Sequence, residues 1–485
     1  MYKAYVTELK NVRPHPNADR LLLGDCFGNT VCVNLDYKEG QIGVYFPTDG
    51  QLSMEFCTQH NLVRRKDDAG NNVGGYMDPD KRNVTAIRLR GEKSDGLFLP
   101  LSCLEYTGVD LSTMTVGTVI ERTVNGHEIC TKYIPRCNHA RTSAGGAGAG
   151  ARAHRRAQRS IAPTFFEHVD TEQLAYNLGA FKAGDEIEIT LKMHGTSQRT
   201  GYLPVLTGYE DTNMCKLRNA WRKMWNKLFP KFFSYEEEHD GESVYNYGYV
   251  SGTRRTVLEN YEGGYYGDNS FREQHSKVFE GKLWKGETVY YEVVGFTDTG
   301  APIMASADNK KLNDKEFIKQ YGPQTIFSYG CDPEGEAKGH YEDICWVGPR
   351  SDFYVYRMTM TNQDGEVVEY TPDFMRYRCE QMGVKTVPVM WKGTIPNYEL
   401  LNGEHNMGVE FTSGDWIKGV AERYYAGYDP IGKTHIREGV VVRIINRPKF
   451  CAYKHKNFEF KVLEGIVKAS AEAPDMEEAQ EETNA

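Results

Sequence analysis

A lysine at the end of an apolar strand, followed closely by a glycine, is the first feature of this sequence that invites chemistry. The run Asp185-Glu186-Ile187-Glu188-Ile189-Thr190-Leu191-Lys192 reads as a strand, and Met193-His194-Gly195-Thr196-Ser197 comes directly after it. A lysine amine is a nucleophile once neutral, although its ordinary pKa of about 10.4 keeps it charged in water. A buried strand end among cations and a metal lowers such a pKa, and a glycine lets the backbone turn sharply beside a ligand. Far downstream, Arg437-Glu438-Gly439-Val440-Val441-Val442-Arg443 sets a carboxylate before another apolar strand. Tyr453-Lys454-His455-Lys456 then sets two lysines in alternation. Alternation sends both ammonium groups to one side of a strand, where they can meet one anion. Glu438 carries the hard oxygen donors that divalent cations take.

In this order the residues resemble the motifs of the covalent nucleotidyltransferases, the superfamily of RNA ligases, DNA ligases and capping enzymes. Lys192-Met193-His194-Gly195 is similar to motif I, K-x-[DH]-G, and the K-x-H-G-[TS] form is most like RNA ligase 2 and its relatives. Thr253-Arg254-Arg255-Thr256 is similar to motif Ia, whose arginine reaches toward the polynucleotide end, with Arg255 the better aligned. Tyr290-Tyr291-Glu292-Val293-Val294-Gly295 resembles motif III, with Tyr291 where the family often has glycine. Asp352-Phe353-Tyr354-Val355-Tyr356-Arg357 resembles motif IIIa, in which one aromatic stacks on adenine. Tyr354 and Tyr356 share a strand face, and Tyr356 aligns better. Glu438-Gly439-Val440-Val441 matches motif IV, E-G-[VL]-V, and Lys454 with Lys456 matches the K-x-K of motif V.

The resemblance implies an ATP-dependent RNA ligase, joining a 3′-hydroxyl to a 5′-phosphate through an AMP carried on Lys192. It implies an ATP site of Lys192, His194, Gly195, Glu292, Tyr356, Glu438, Lys454 and Lys456. Mg2+ or Mn2+ is expected at Glu438 and Glu292, directly or through water, and RNA at Arg255 and Ser197. The RNA is expected as broken or nicked ends, with RNA/DNA hybrids admitted and repair as the role. His194 stands where many members carry aspartate, which leaves its part in holding the metal open. Two other readings stand beside this one: an RNA- or tRNA-binding protein with an inert ligase-like domain, and a DNA ligase or capping-type enzyme. A rival lysine exists too, since Glu92-Lys93-Ser94-Asp95-Gly96 is formally K-x-D-G. Motif order favours Lys192, because the later motifs all lie downstream of it within one domain.

The elements that must position these residues imply an α+β chain of several parts, as 485 residues exceed one ordinary core. Residues 1–140 read as short strands between turns, an all-β barrel whose stretch Val12-Arg13-Pro14-His15-Pro16-Asn17 resembles the opening of OB domains that bind RNA or tRNA. Residues 141–160 are a Gly/Ala/Arg linker, 161–468 the nucleotidyltransferase domain of antiparallel sheets and helices, and 469–485 an acidic solvating tail. An N-terminal OB domain with no further domain after motif V is the order of RNA ligases rather than DNA ligases or capping enzymes. Asp364-Gly365 marks a hairpin turn. The net charge of −9 owes much to the tail. Between motif I and Arg255, residues 215–233 form a helical insertion. Leu217, Trp221, Met224, Trp225 and Leu228 share one of its faces, expected to pack on the domain. The rest carries Lys216, Arg218, Arg222, Lys223 and Lys227, a solvated face or a grip on phosphates. The 11 scattered cysteines argue against a disulfide framework, and Cys130, Cys137 and His139 fit no common zinc spacing. No run approaches a membrane span. A cytoplasmic monomer with no membrane partner is expected.

Overall fold

Two antiparallel sheets meet at the lysine. The structure is a computed structural model and describes residues 2–66, 72–133, 161–228, 237–258, 261, 269–298, 303, 319, 340–342, 345–347, 351–397, 412–432 and 435–469. The linker 141–160, residues 470–485 of the tail, Cys137 and His139 lie outside the described residues. One sheet has five strands in the order Glu172–Gln173, Cys451–Lys456, Gly439–Ile444, Glu186–Leu191 and Val389–Thr394. Its first pair is parallel and the rest antiparallel. The other has six antiparallel strands in the order Val257–Leu258, Ser243–Gly252, Thr196–Tyr209, Glu287–Gly295, Ser351–Thr361 and Val367–Glu369. Lys192 to Gly195 is the passage from the first sheet to the second. The segments that resemble motifs III and IIIa lie on the strands Glu287–Gly295 and Ser351–Thr361, and those of motifs I and IV lie at the ends of Glu186–Leu191 and Gly439–Ile444.

Alternation explains the strand that leads to Lys192. Ile187 and Ile189 face a core shared with Ile417, Val420 and Ala421 of the helix Ser413–Glu422. Glu188 points the other way, is also buried, and accepts two hydrogen bonds from Arg376 at 3.0 and 2.8 Å, since a buried carboxylate is costly without such a partner. Leu191 and Met193 pack with Val294, Tyr354 and Val387 beside Lys192, joining the two sheets through apolar contact. Helix Pro372–Met382 starts at a Thr371 N-cap with proline in its first turn and ends at Gly383, where φ is 69°. Met375, Cys379 and Met382 fall on one face of it and close the core of the six-stranded sheet. Gly365, at φ +83°, makes the hairpin into Val367–Glu369, as Asp364-Gly365 suggested.

The N-terminal part is mainly antiparallel strands, including the four-stranded sheet Leu97–Pro100, Ile42–Phe46, Ala4–Glu8 and Val119–Ile120. Unlike the all-β expectation, it also carries the helix Met54–Gln59, which supplies Phe56 and Cys57 to the core, and short 3-10 turns. The strands Ala4–Glu8 and Lys10–Pro14 are separated by fully buried Leu9.

Three histidines, His435 and His455 buried and His275 half-buried, set a pH expectation. Burial lowers His275 and His435 from 6.5 to about 4, and His455 to about 3. The folded state therefore binds fewer protons than the unfolded chain between about pH 4 and 6.5, so stability is full above 6.5 and falls as pH drops through that window. Each such histidine contributes a slope of about 1.4 kcal/mol per pH unit. Denaturant titrations at pH 7 and 5 are expected to show the loss, and His275→Gln, which keeps a polar group near Ser351 Oγ (2.8 Å from Nε2), to reduce the slope.

Candidate active site around Lys192

The nucleophile candidate lies where strand registry brings three distant segments together. Lys192 N–H donates to the Gly439 carbonyl at 3.0 Å, and Leu191 pairs with Val440. Gly439 in turn pairs with Lys456. Two glycines make this approach possible. A Cβ at Gly195 would stand 2.3 Å from the Val293 carbonyl oxygen and 2.9 Å from Glu292 Cγ. One at Gly439, where φ is +149°, would stand 2.2 Å from the His455 oxygen and 2.8 Å from Lys456 Cα. Gly195 thus serves here as a point of close packing against the Glu292 strand.

Side chains converge on Glu438. Lys192 Nζ lies 2.7 Å from its Oε1, Lys456 Nζ lies 3.3 Å from the same oxygen, and His194 Nδ1 lies 3.7 Å from Oε2. Glu438 is 4% exposed, so its ionisation has to be supported. Burial works to raise its pKa, but the Lys192 and Lys456 ammonium groups and His194 hold it well below the ordinary 4.5. The His194 ring also meets Phe460 edge-on at 4.8 Å between centroids. Histidine at this position is therefore a neighbour of the Glu438 carboxylate.

The second sheet supplies the remaining wall. Ser197 pairs across to Glu292, which pairs to Tyr354. Ser197 Oγ and the Tyr356 hydroxyl are 2.8 Å apart, and burial followed by the Glu292 charge raises the Tyr356 pKa. Tyr354 and Tyr356 lie on one face, as alternation required. Tyr291 points into the core on the other face, with its hydroxyl 2.9 Å from Thr200 Oγ1, so the large residue next to Glu292 crowds nothing in the site. Ser197, at 5% exposure, is positioned from behind. Fully buried Arg272 donates to its carbonyl at 3.3 Å and to Thr196 Oγ1 at 2.8 Å.

Arg255 lies apart from the Glu438 cluster. Arg255 and Arg254 bind Asp170 at 2.7 and 3.1 Å. Burial acts to raise Asp170, and these two arginines together with nearby Lys454 bring its pKa below the ordinary 3.8. Lys454 thus faces the arginine pair while Lys456 faces Glu438, although both leave the strand on one side. Glu464 of the helix Phe458–Ala469, which sequence reading did not single out, holds Lys456 Nζ at 2.9 and 3.0 Å. That helix also binds the N-terminal part, with Lys461 to Asp95 at 2.6 Å and Glu459 to Arg88 at 3.0 Å and to Lys93 at 3.4 Å. The rival lysine therefore belongs to this contact, 4.9 Å above the Phe458 ring. Its Gly96, at φ +115°, fits closely against Tyr45. Asp170 and Glu464 had no motif to mark them; the helical run after the K-x-K was the available signal for Glu464.

Oxygen donors from Glu438, and from Glu292 on the facing strand, suit a divalent cation. Among the described residues the three-ligand group of His, Cys, Asp or Glu atoms within 4.8 Å is Asp211, Cys215 and Asp240, at the far end of the long strand, and not these two glutamates. A cation at Glu438 would accordingly take only part of its shell from protein, as Mg2+ does beside phosphates and water. No protein-family profile matches the chain and no curated protein matches it. Solved structures do. A lysine-to-alanine variant of Naegleria gruberi RNA ligase with ATP and Mn is 16% identical, with 96% of this chain and 98% of that one covered and a TM-score of 0.52. The same ligase with pyrophosphate is 15% identical over 94% and 97%, with a TM-score of 0.50. From the N-terminal sheets to the helix after Lys456, the chain has the fold of Naegleria gruberi RNA ligase.

Proposed function

We propose that the protein is an ATP-dependent RNA ligase that works through an AMP carried on Lys192. The observation that carries this reading is the convergence of Lys192, Lys456 and His194 on Glu438, at 2.7, 3.3 and 3.7 Å from its carboxylate oxygens. Lys192 lies far in sequence from Glu438 and Lys456, and chance packing rarely sets two half-buried lysines on one buried carboxylate. The shared fold with an RNA ligase supports the same reading.

In the first step Lys192 Nζ attacks the α-phosphorus of ATP; a P–N bond forms, the bond to the β-phosphate oxygen breaks, and pyrophosphate leaves. AMP then passes to the 5′-phosphate of RNA. Attack by a 3′-hydroxyl on that phosphate forms the phosphodiester and releases AMP. Lys456 and Lys454, on one side of a strand, meet the phosphate charge. Tyr356, held by Ser197, offers a ring to the adenine, and Glu292 faces the ribose or the metal's water. Glu438 and Glu292 would hold Mg2+ or Mn2+, which when bound supplies charge neutralisation at the phosphates. Arg255, with Arg254, offers the RNA a cationic surface beside Lys454. We read the N-terminal sheets as an OB-like domain that presents the RNA, and the activity as RNA repair.

The test is incubation with ATP labelled at the α-phosphate and Mg2+ or Mn2+, then with nicked RNA duplex. Label on the protein that chases onto RNA and yields a sealed strand is the expected result. Labelling by GTP as good as or better than by ATP moves the protein to the capping class, and RNA retention without label makes the domain inert.

A further inference from the structure

The helix Asn213–Leu228 is inverted relative to the expectation from its sequence. Its buried residues are Cys215 and Asn219. They face the main chain at Glu238, with Asn219 Nδ2 donating to the Glu238 carbonyl at 2.6 Å and Cys215 Sγ 3.1 Å from the same oxygen. Arg222 and Arg218 bind the Glu238 carboxylate at 2.6 and 3.3 Å, and Thr212 caps onto Asp240. The helix is thus pinned by its polar side. Met214, Leu217, Trp221, Met224, Trp225 and Leu228 are 80, 61, 60, 47, 41 and 61% exposed. At about 100° per residue these six fall within an arc of roughly 100°, pointing away from Cys215 and Asn219. Lys216, Lys223 and Lys227 form a row along one flank, and the helix contains no acidic residue. Monomers rarely leave so continuous an apolar stripe in water.

Its place in the fold narrows what can cover it. The long strand Thr196–Tyr209 pairs with Glu287–Gly295 only as far as Gly201. From Tyr202 to Tyr209 its pairing partner is the segment Ser243–Tyr249, so a two-stranded arm carries the helix at its tip. Thr196 lies at the catalytic end, and the arm's tip is roughly 40 Å along the strand from it. A second copy of the helix would oppose one basic surface with another. RNA phosphates would meet the lysines but leave the leucines and methionines in water. A protein groove that wraps a helix is obstructed on the pinned side. A flat surface that is apolar beneath and anionic at its face meets the outward arc and the lysine row together.

We propose that this helix docks on a lipid surface bearing anionic headgroups, lying in the interface rather than crossing it. Among the described residues no helix is long and apolar enough to cross a membrane, and the sequence-based expectation of no membrane partner rested on the lack of such a span. The full chain is mixed with vesicles of phosphatidylcholine alone or with phosphatidylserine added, and co-sedimentation and tryptophan emission are measured. At least about tenfold stronger partitioning onto the phosphatidylserine vesicles is expected, with a blue shift, and weakening by salt. The variant Trp221→Ala with Trp225→Ala is expected to lose the partitioning by about tenfold at an unchanged melting temperature. Lys216→Gln, Lys223→Gln and Lys227→Gln together are expected to remove the preference for phosphatidylserine. The proposal is overturned if the unmodified chain does not partition, if the tryptophan variant partitions equally, or if that variant instead loses RNA retention or self-association.

Discussion

Lys192→Ala is expected to remove AMP labelling by at least about 1,000-fold while leaving intact the sealing of a nick whose 5′ end already carries AMP. The first step needs an amine to form the P–N bond, and alanine has none. Sealing of an adenylated end needs the phosphate-facing groups: Lys454 and Lys456 remain on the strand Cys451–Lys456, and Lys456 still meets Glu438 at 3.3 Å when the Lys192 side chain is removed. Lys93→Ala, in contrast, is expected to keep its label. Lys93 serves the contact with Glu459 and Phe458, and Arg88 remains there to bind Glu459 at 3.0 Å. Labelling with radioactive ATP and gel electrophoresis separates the two. Label lost from Lys93→Ala and kept by Lys192→Ala would sink the assignment.

Glu438→Gln is expected to lower labelling by at least about 100-fold and to destabilise the fold as well. The substitution leaves Lys192 and Lys456 beside a neutral amide in a site where Glu438 is 4% exposed. Breaking a buried ion pair on one side commonly costs about 3–5 kcal/mol. Glu464 still accepts from Lys456, which moderates the loss on that side. The buried carboxylate and the desolvated histidines both weaken the fold in acid, because folding lowers each pKa and each group takes up a proton more readily in the unfolded chain. A carboxyl held below its ordinary 4.5 contributes stability that is present above pH 4.5 and is lost as pH falls toward the folded value. The unmodified protein should therefore show a steeper acid limb below pH 4.5 than Glu438→Gln, measured by denaturant titration. An identical acid limb in the two proteins contradicts the ion cluster.

The strands around Lys192 were legible because the chemistry of their residues and their pattern coincide. Ile187, Ile189 and Leu191 alternate into the core, and the lysine comes where the alternation stops. Gly195 and Gly439 mark backbone contacts of 2.2–2.3 Å for any added Cβ, a constraint that shows in sequence as glycine beside a charged residue. Residues that act through a partner were not legible. Glu464 is one acid on an ordinary amphipathic helix until Lys456 is placed beside it. Asp170 gains meaning only from Arg254 and Arg255, which lie 84 and 85 residues away. The insertion misled for a physical reason. Periodicity identifies an apolar stripe but not which side of the helix its neighbour occupies, and here main-chain hydrogen bonds at Glu238 took the polar side.

The helix Phe458–Ala469 belongs to both halves of the chain. It comes after the last lysine of the site, yet Phe458 and Val462 pack with Ala86, and Lys461 and Glu459 bind Asp95, Arg88 and Lys93. The obvious place to cut the molecule is residues 141–160, and every motif of the proposed nucleotide site lies beyond that cut. Such a cut nevertheless strips the partner from Phe458 and Val462 and leaves Glu459 and Lys461 facing water, one helix turn or two from the glutamate that holds Lys456. The N-terminal half accordingly behaves as a subunit that happens to be covalently attached. Residues 1–140 and 161–485, made as separate polypeptides, should therefore find each other in solution.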